Sequence, residues 1–171
     1  MTAYVALLRA VNVGGTGKLP MSELKAICAD AGLTSEHTHI ASGNVVFDSD
    51  MPEARVKAAL QERLEAHAGK PVGVLVRTAE EIAAVLAGNP FADFDPKITV
   101  AIFLDAPPPA GALEDVSGRA DEEFRLGARE IYVRYPSGQG RSKLKIRAAA
   151  DGTARNMNTV AKLAEMAAGS A

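Results

Sequence analysis

The chain has 171 residues, of which 47% are hydrophobic and 23% charged, and its formal net charge is −2. These values are typical of a globular protein and exclude disordered, collagen-like and coiled-coil classes. A single cysteine excludes an internal disulfide framework, and no apolar run reaches the roughly 18 residues that crossing a bilayer requires. The first residues lack the basic region of a signal peptide, so we expect a cytoplasmic protein without a membrane partner.

The first part of the chain alternates strand and helix patterns. Residues 3–13 are apolar at both odd and even positions, which predicts a central strand covered on both faces. A helix follows, and the stretch 37–48 is extended with one interruption. After a second helix and a strand over 72–77, Thr78 and Glu81 form a capping box that starts a third helix. The β-α-β-β-α-β order is the ferredoxin-like one.

A proline-containing linker separates this part from the rest, and we predict two subdomains, 1–96 and 97–171, packed against each other. The second subdomain begins with a strand over 98–104 and a short helix over 113–120. It continues with two strands that are joined by a turn, and then with a Gly-rich loop and a last helix. This mixed order predicts an α+β fold in two layers, with a ferredoxin-like first half and a smaller α+β second half.

Charge is distributed unevenly along the chain. Residues 125–171 carry nine Lys or Arg and three Asp or Glu, whereas residues 105–124 carry one and six. The basic stretch indicates a surface for phosphate, nucleotides or nucleic acid. A solvated face balanced by the acidic stretch explains the same charges. The absence of Trp argues against a platform on which single-stranded nucleic acid stacks.

Several polar segments are candidate parts of a binding site. Arg9 lies within the first predicted strand, where a guanidinium needs a partner or an opening onto a cleft. The Gly-rich loop after it resembles an anion-binding turn, but Asn12 replaces a P-loop glycine and no hydroxyl follows Lys18. The strand interruption at 42–44 and the loop at 137–143 offer further donors. An ordinary turn, a bulge and a hairpin tip are the structural alternatives.

The last predicted helix carries a polar stripe. Arg155, Asn158 and Lys162 lie at helical spacing, near a helix start that offers free N–H groups. The opposite, apolar side is formed by Met157, Val160, Ala161 and Ala164. The three histidines lack further ligands at suitable spacing, and hydrolase and dinucleotide motifs are missing from the sequence. We therefore predict no metal site, no cofactor and no particular reaction.

Four stretches carry a family resemblance. They are LLRAVNVGG with KLPM at 7–15 and 18–21, SGNVVF at 42–47, GRSKL at 140–144 and RNMNTV at 155–160. In this order they resemble the bacterial family of uncharacterised proteins known as domain of unknown function 1697 (DUF1697), over essentially the whole chain. The resemblance implies a cytoplasmic α+β protein that is ferredoxin-like in at least its first part. It implies no assigned reaction.

The positions that match the family motifs are mostly polar or glycine, and one shared cleft explains them more economically than separate structural features. Such a cleft would be rich in donors and poor in bases, and sites of that kind bind anions. The predicted site comprises Arg9, Asn12, Gly14, Gly15, Lys18, Ser42, Gly43, Asn44, Gly140, Ser142, Lys143, Arg155, Asn156, Asn158 and Lys162. We expect a phosphate-bearing small molecule or a nucleotide as the ligand. Nucleic-acid binding and a structural, partner-binding role are the alternatives.

Overall fold

A computed structural model describes residues 2–9, 21–41, 43–69 and 71–169 of the chain. By its internal contacts the chain divides into two compact units, Met1–Ile82 with Leu163–Ala171, and Ala83–Lys162. This boundary lies earlier in the chain than the predicted one after residue 96, and it assigns the end of the last helix to the first unit. That 1–96 and 97–171 are separate subdomains stays a prediction.

The first unit contains an antiparallel sheet with the strand order β2-β3-β1-β4. Its strands are β1 (Thr2–Leu8), β2 (Thr34–Ala41), β3 (Asn44–Ser49) and β4 (Val74–Thr78). Helix α1 (Met21–Asp30) connects β1 to β2, and helix α2 (Glu53–Ala68) connects β3 to β4. The predicted α+β class and β-α-β-β-α-β order are confirmed, and the strand order resembles the ferredoxin-like arrangement.

Both helices cover one face of this sheet. Cys28 of α1 and Leu60 of α2 belong to one buried cluster with Phe47 of β3. Burial of such side chains stabilises the fold by about 1.5–3 kcal/mol each. It also raises the pKa of the Cys28 thiol to about 11. Val5 and Leu7 point to the opposite face and are fully buried too, which confirms β1 as a central strand with two covered faces.

Helix α3 (Ala79–Ala87) begins at the predicted capping box. The Thr78 N–H donates to Glu81 Oε1 at 2.9 Å, and the Glu81 N–H donates to Thr78 Oγ1 at 3.1 Å. These reciprocal bonds satisfy amide groups that the start of a helix otherwise leaves unpaired. The capping-box prediction is therefore confirmed at both of its residues.

The second unit contains a second antiparallel sheet with the order β10-β5-β8-β7 and a separate ribbon of β6 and β9. The strands are β5 (Thr99–Phe103), β6 (Val116–Ser117), β7 (Glu123–Leu126), β8 (Glu130–Arg134), β9 (Lys145–Ile146) and β10 (Thr153–Asn156). The predicted strands at β5, β7 and β8 are confirmed. No helix in the described part of the chain is long and apolar enough to cross a membrane.

The helix predicted over 113–120 is wrong, because this stretch forms β6 and turns. Gly118 shows why: its φ is +70°, and a Cβ atom there would lie 2.0 Å from the carbonyl oxygen of Lys143. Only glycine permits so close an approach in this conformation. The approach holds the end of β6 against the segment that leads into β9.

Helix α4 (Met157–Gly169) follows β10, a strand that was not predicted. Its buried side chains, among those described, are Met157, Val160, Leu163 and Ala167. The predicted apolar stripe included Ala161 and Ala164, but Ala161 is exposed and Ala164 half-buried. Leu163 belongs to the buried stripe instead. It lies three residues after Val160, and residues three apart lie on the same side of a helix.

Arg77 of β4 is the fully buried arginine of the first unit. Its Nη1 donates to the carbonyl of Val76 at 3.1 Å. The residue predicted for this role, Arg9, is only half-buried, because β1 ends one residue before it. A buried guanidinium is tolerated only when its N–H groups are satisfied, so Arg77 is a structural cation of the sheet.

We expect Arg77→Ala to lower the free energy of unfolding by about 3 kcal/mol or more, because it removes a buried donor and leaves a cavity. Arg9→Ala, at a half-buried position, should lower it by less than half as much. Urea unfolding followed by circular dichroism measures both variants. Equal losses in the two variants would show that Arg77 has no special structural role.

Candidate ligand-binding site

The described site residues of the first unit meet at one end of its sheet. The Leu8 N–H donates to the carbonyl of Gly43 at 2.8 Å, and the Arg9 N–H donates to that of Gly73 at 2.8 Å. Asn44, which follows Gly43 at the start of β3, is 2% exposed. Gly43 has a φ of 81°, as a glycine at a strand interruption can adopt. The structure therefore brings Arg9, Gly43 and Asn44 into one neighbourhood.

The other predicted site residues are either outside the described part of the chain or in the second unit. Asn12, Gly14, Gly15, Lys18 and Ser42 lie outside the described residues. The second unit holds Gly140, Ser142, Lys143, Arg155, Asn156, Asn158 and Lys162. The convergence of all these segments on one cleft stays a prediction.

Acidic side chains hold the Gly-rich loop of the second unit. Ser142 Oγ donates to Glu122 Oε2 at 2.5 Å, and Ser137 Oγ donates to Asp121 Oδ2 at 2.5 Å. The Ala120 N–H adds a bond to Glu122 Oε1 at 2.6 Å. The Ser142 hydroxyl, followed by the Ala120 amide, holds the pKa of Glu122 below its usual range. The hydroxyl of Ser142, which belongs to the predicted site, and that of Ser137 in the same loop therefore both bond to carboxylates.

Arg155 and Asn156 make local contacts. Arg155 lies in β10 and not on the last helix, and its Nη1 donates to Thr153 Oγ1 at 2.7 Å. Asn156 Oδ1 accepts the Thr159 N–H at 2.9 Å, which caps the start of α4. Free N–H groups were predicted at this helix start, and Asn156 itself satisfies one of them.

A groove of about 600 Å³ opens beside the β6–β9 ribbon, within the second unit. Its apolar lining includes Ile102 of β5, Leu144 before β9, and Ile146 of β9. These three side chains belong to the buried or half-buried cluster that covers one face of the second sheet. The groove therefore offers an apolar surface of the kind that small organic ligands use.

Charged residues also line this groove. Lys145 and Arg147 line it and are exposed, whereas Ile146 between them is buried. Arg147 Nη1 lies 3.6 Å from Asp115 Oδ2, and both side chains are largely exposed. An ion pair of this kind stabilises a fold by at most about 1 kcal/mol. Within the described residues, Lys145 forms no ion pair.

Tyr135 also lines the groove and is 7% exposed. Burial raises the pKa of this phenol, and the charge of Glu122 adds to the effect. The hydroxyl therefore stays protonated at neutral pH and can donate a hydrogen bond. Among the described residues none bonds to this hydroxyl, and it is not one of the polar atoms that are sealed from solvent without a partner, so it faces water.

None of the described site residues predicted from the sequence lines this groove. The available signal is the alternation of residues 143–147, in which Lys143, Lys145 and Arg147 are separated by apolar side chains. Period-two alternation indicates an extended segment with one apolar face and one charged face. The open hydroxyl of Tyr135 leaves no such signal, because it depends on the tertiary packing around the residue.

The chain matches the family model of proteins of unknown function named DUF1697 over residues 1–132, and it belongs to that family. Its structure is similar to that of the conserved bacterial protein SP0830 from Streptococcus pneumoniae, with a TM-score of 0.76. The two chains are 24% identical, and the alignment covers 97% of this chain and 98% of the other. This likeness shows a common fold. No curated protein matches the chain.

The lowered pKa of Glu122 predicts a loss of stability in acid. A carboxylate with a depressed folded pKa adds stability above its unfolded pKa of about 4.3, and this stability disappears as the pH falls through the folded value. Ser142→Ala removes the largest cause, so the pKa of Glu122 should rise and the acid-dependent loss should shrink. Carbon-13 NMR titration and urea unfolding at neutral and acid pH measure the two effects.

Ser137→Ala is the matched control, since its hydroxyl bonds to Asp121 instead. It should leave the pKa of Glu122 unchanged. An unchanged pKa of Glu122 in Ser142→Ala would contradict the role assigned to that hydroxyl.

Proposed function

We propose that this protein binds a phosphate-bearing small molecule in the groove beside the β6–β9 ribbon. The proposal depends on one observation: a short segment contributes both apolar and cationic side chains to the groove. In this segment Ile146 is buried, and Lys145 and Arg147 on either side of it are exposed. Small-molecule sites are mostly apolar clefts of about 300–1,000 Å³ with a few placed polar groups. The groove volume of about 600 Å³ falls within that range.

The charges at the groove favour an anion. Lys145 and Arg147 supply two cations, and Asp115 is the one carboxylate in the described lining. Lys and Arg bind phosphate through charge-assisted hydrogen bonds, which are stronger than neutral ones. Lys143, two residues before Lys145 and exposed, adds to the positive potential. An anion would therefore gain contacts with groups that now face water.

The proposed location is the cytoplasm, where phosphorylated small molecules are available. Cys28 is buried and unpaired, which is compatible with a reducing compartment. The groove uses none of the residues of the first unit, so the proposal does not depend on how the predicted segments of that unit are arranged.

Titration calorimetry with adenosine monophosphate, uridine monophosphate and inorganic phosphate tests the proposal. We expect one site per chain, with the affinity reduced about tenfold or more in Lys145→Ala and in Arg147→Ala, since a hydrogen bond to a charged group contributes about 1.5–3 kcal/mol. Lys97→Ala, an exposed cation of the same unit outside the groove lining, should bind like the parent. The proposal would be refuted if none of the three compounds bound to the protein.

Asp115→Asn should strengthen binding of the same compounds by about threefold or more, because it removes the negative charge that lies beside Arg147. The increase should diminish at high salt, which screens exposed charges. Asp93→Asn, at an exposed position of the same unit outside the groove, serves as the control. A weaker affinity in Asp115→Asn would place the anion elsewhere.

The second candidate function is binding of a polynucleotide along the same segment. Lys143, Lys145 and Arg147 are all exposed and lie at alternate positions, so their Cβ atoms repeat at about 6.6 Å in extended backbone. A row of cations can follow successive phosphates of a nucleic-acid strand. Fluorescence anisotropy with a single-stranded oligonucleotide at two salt concentrations distinguishes the candidates. Steep salt dependence, together with loss of affinity in Lys143→Ala, would favour the polynucleotide.

A further inference from the structure

We infer that the ligand of the groove beside the β6–β9 ribbon is a phosphate monoester with a flat, acceptor-bearing ring, the chemistry of a nucleoside monophosphate, and that the Tyr135 hydroxyl recognises the ring. This inference rests on the proposed function and names its ligand class. It gives Tyr135 the role of a specificity-determining residue. The phosphate would lie at Lys145 and Arg147.

The Tyr135 hydroxyl is the first support. The residue lines the groove and is 7% exposed, and no group among the described residues bonds to its hydroxyl. The backbone of Tyr135 is fixed, since its N–H donates to the carbonyl of Ile98 at 2.7 Å and its carbonyl accepts the Gly138 N–H at 2.9 Å. Once a ligand removes this fixed donor from water, a ligand that offers it an acceptor is favoured over one that does not.

The apolar lining is the second support. Ile102, Leu144 and Ile146 offer no hydrogen bonds from their side chains. A hydroxyl-rich sugar placed against them would leave its own polar groups unsatisfied, which is unfavourable. A flat heterocycle buries its faces against such residues and presents its acceptor atoms at the ring edge. A ring with an oxygen or nitrogen atom at its edge can therefore pack against the apolar lining residues and accept a hydrogen bond from Tyr135.

The charge of the lining is the third support. Lys145 and Arg147 are opposed by Asp115, so the described lining carries one net positive charge. A phosphate monoester carries about −1.5 to −2 charges at neutral pH. The negative charge left uncompensated is therefore about one unit at most for a monophosphate, and it is larger for a triphosphate. The lining thus favours a monophosphate.

Tyr135→Phe tests the inference, because it removes the hydroxyl and keeps the ring. Affinities for adenosine monophosphate, uridine monophosphate, ribose 5-phosphate and inorganic phosphate are measured in the parent and the variant. We expect at least one nucleotide to bind the parent about tenfold more tightly than ribose 5-phosphate. Tyr135→Phe should abolish this preference and leave the affinities for ribose 5-phosphate and inorganic phosphate unchanged.

Tyr132→Phe is the matched control within the same unit. Its hydroxyl donates to the carbonyl of Val85 at 2.8 Å and does not line the groove. We expect Tyr132→Phe to lower the melting temperature and keep the nucleotide preference, whereas Tyr135→Phe should keep the melting temperature, because its hydroxyl loses no protein partner. Lys145→Ala should lower the affinity for every compound that binds the parent.

The outcomes separate the two claims. If no phosphate compound binds the parent, the proposed function fails, and this inference fails with it. If the compounds bind and Lys145→Ala weakens them, but nucleotides are not preferred or Tyr135→Phe keeps the preference, only the present inference is overturned. An equal loss for every compound in Tyr135→Phe would overturn it as well, since the residue would then not read the ring.

Discussion

The groove of the second unit depends on a close approach of two backbone segments at Gly118. A Cβ atom at this position would lie 2.0 Å from the Lys143 carbonyl oxygen, so the approach exists only because the residue is glycine. The β6–β9 ribbon has two residues in each strand, and so short a ribbon is not stable by itself. The bond from Ser142 to Glu122 holds the same segment from its other side. Together they fix where residues 143–147 run.

The fixed course of this segment determines what its alternating side chains do. Leu144 and Ile146 join the apolar cluster on the sheet, and Lys145 and Arg147 place their charges at the groove. The acidic stretch is part of the same arrangement, because Arg134 pairs with Glu123 and Arg147 lies near Asp115. Part of the basic excess is thus neutralised locally, as the solvated-face interpretation of the charges requires. Among the described residues, Lys145 is not neutralised in this way, and neither are Arg141, Lys143 and Lys162. Of these four cations, Lys145 is the one that lines the groove.

Local signals in the sequence predicted most of the first unit. The capping box at Thr78 and Glu81 and the two-sided apolar pattern of β1 specify structure within a few residues, and both are confirmed. Strands β6, β9 and β10 were missed, because short strands form only when a distant partner is present. The burial of Arg77 is likewise a tertiary property, and nothing in the sequence VLVRT distinguishes it from an arginine at a strand end.

The residues that the sequence predicted for a binding site differ from those that line the groove. Glycines and polar residues indicated flexible, donor-rich loops, but a hydroxyl in such a loop is satisfied by whichever acceptor lies closest. For Ser142 that acceptor is Glu122, and Asn156 caps its own helix. The groove was outside this prediction, because its lining combines residues from β5 to β9 whose proximity is decided by strand pairing.

The single cysteine has a practical consequence for spectroscopy. Cys28 is buried, and with a thiol pKa of about 11 it is almost entirely protonated at neutral pH. Maleimide reagents react with the thiolate, so the native chain should resist labelling while it is folded. A second cysteine introduced at an exposed position would then carry a fluorophore or spin label alone. The native protein thus provides a chemically silent background for distance measurements, without removal of Cys28 from its core.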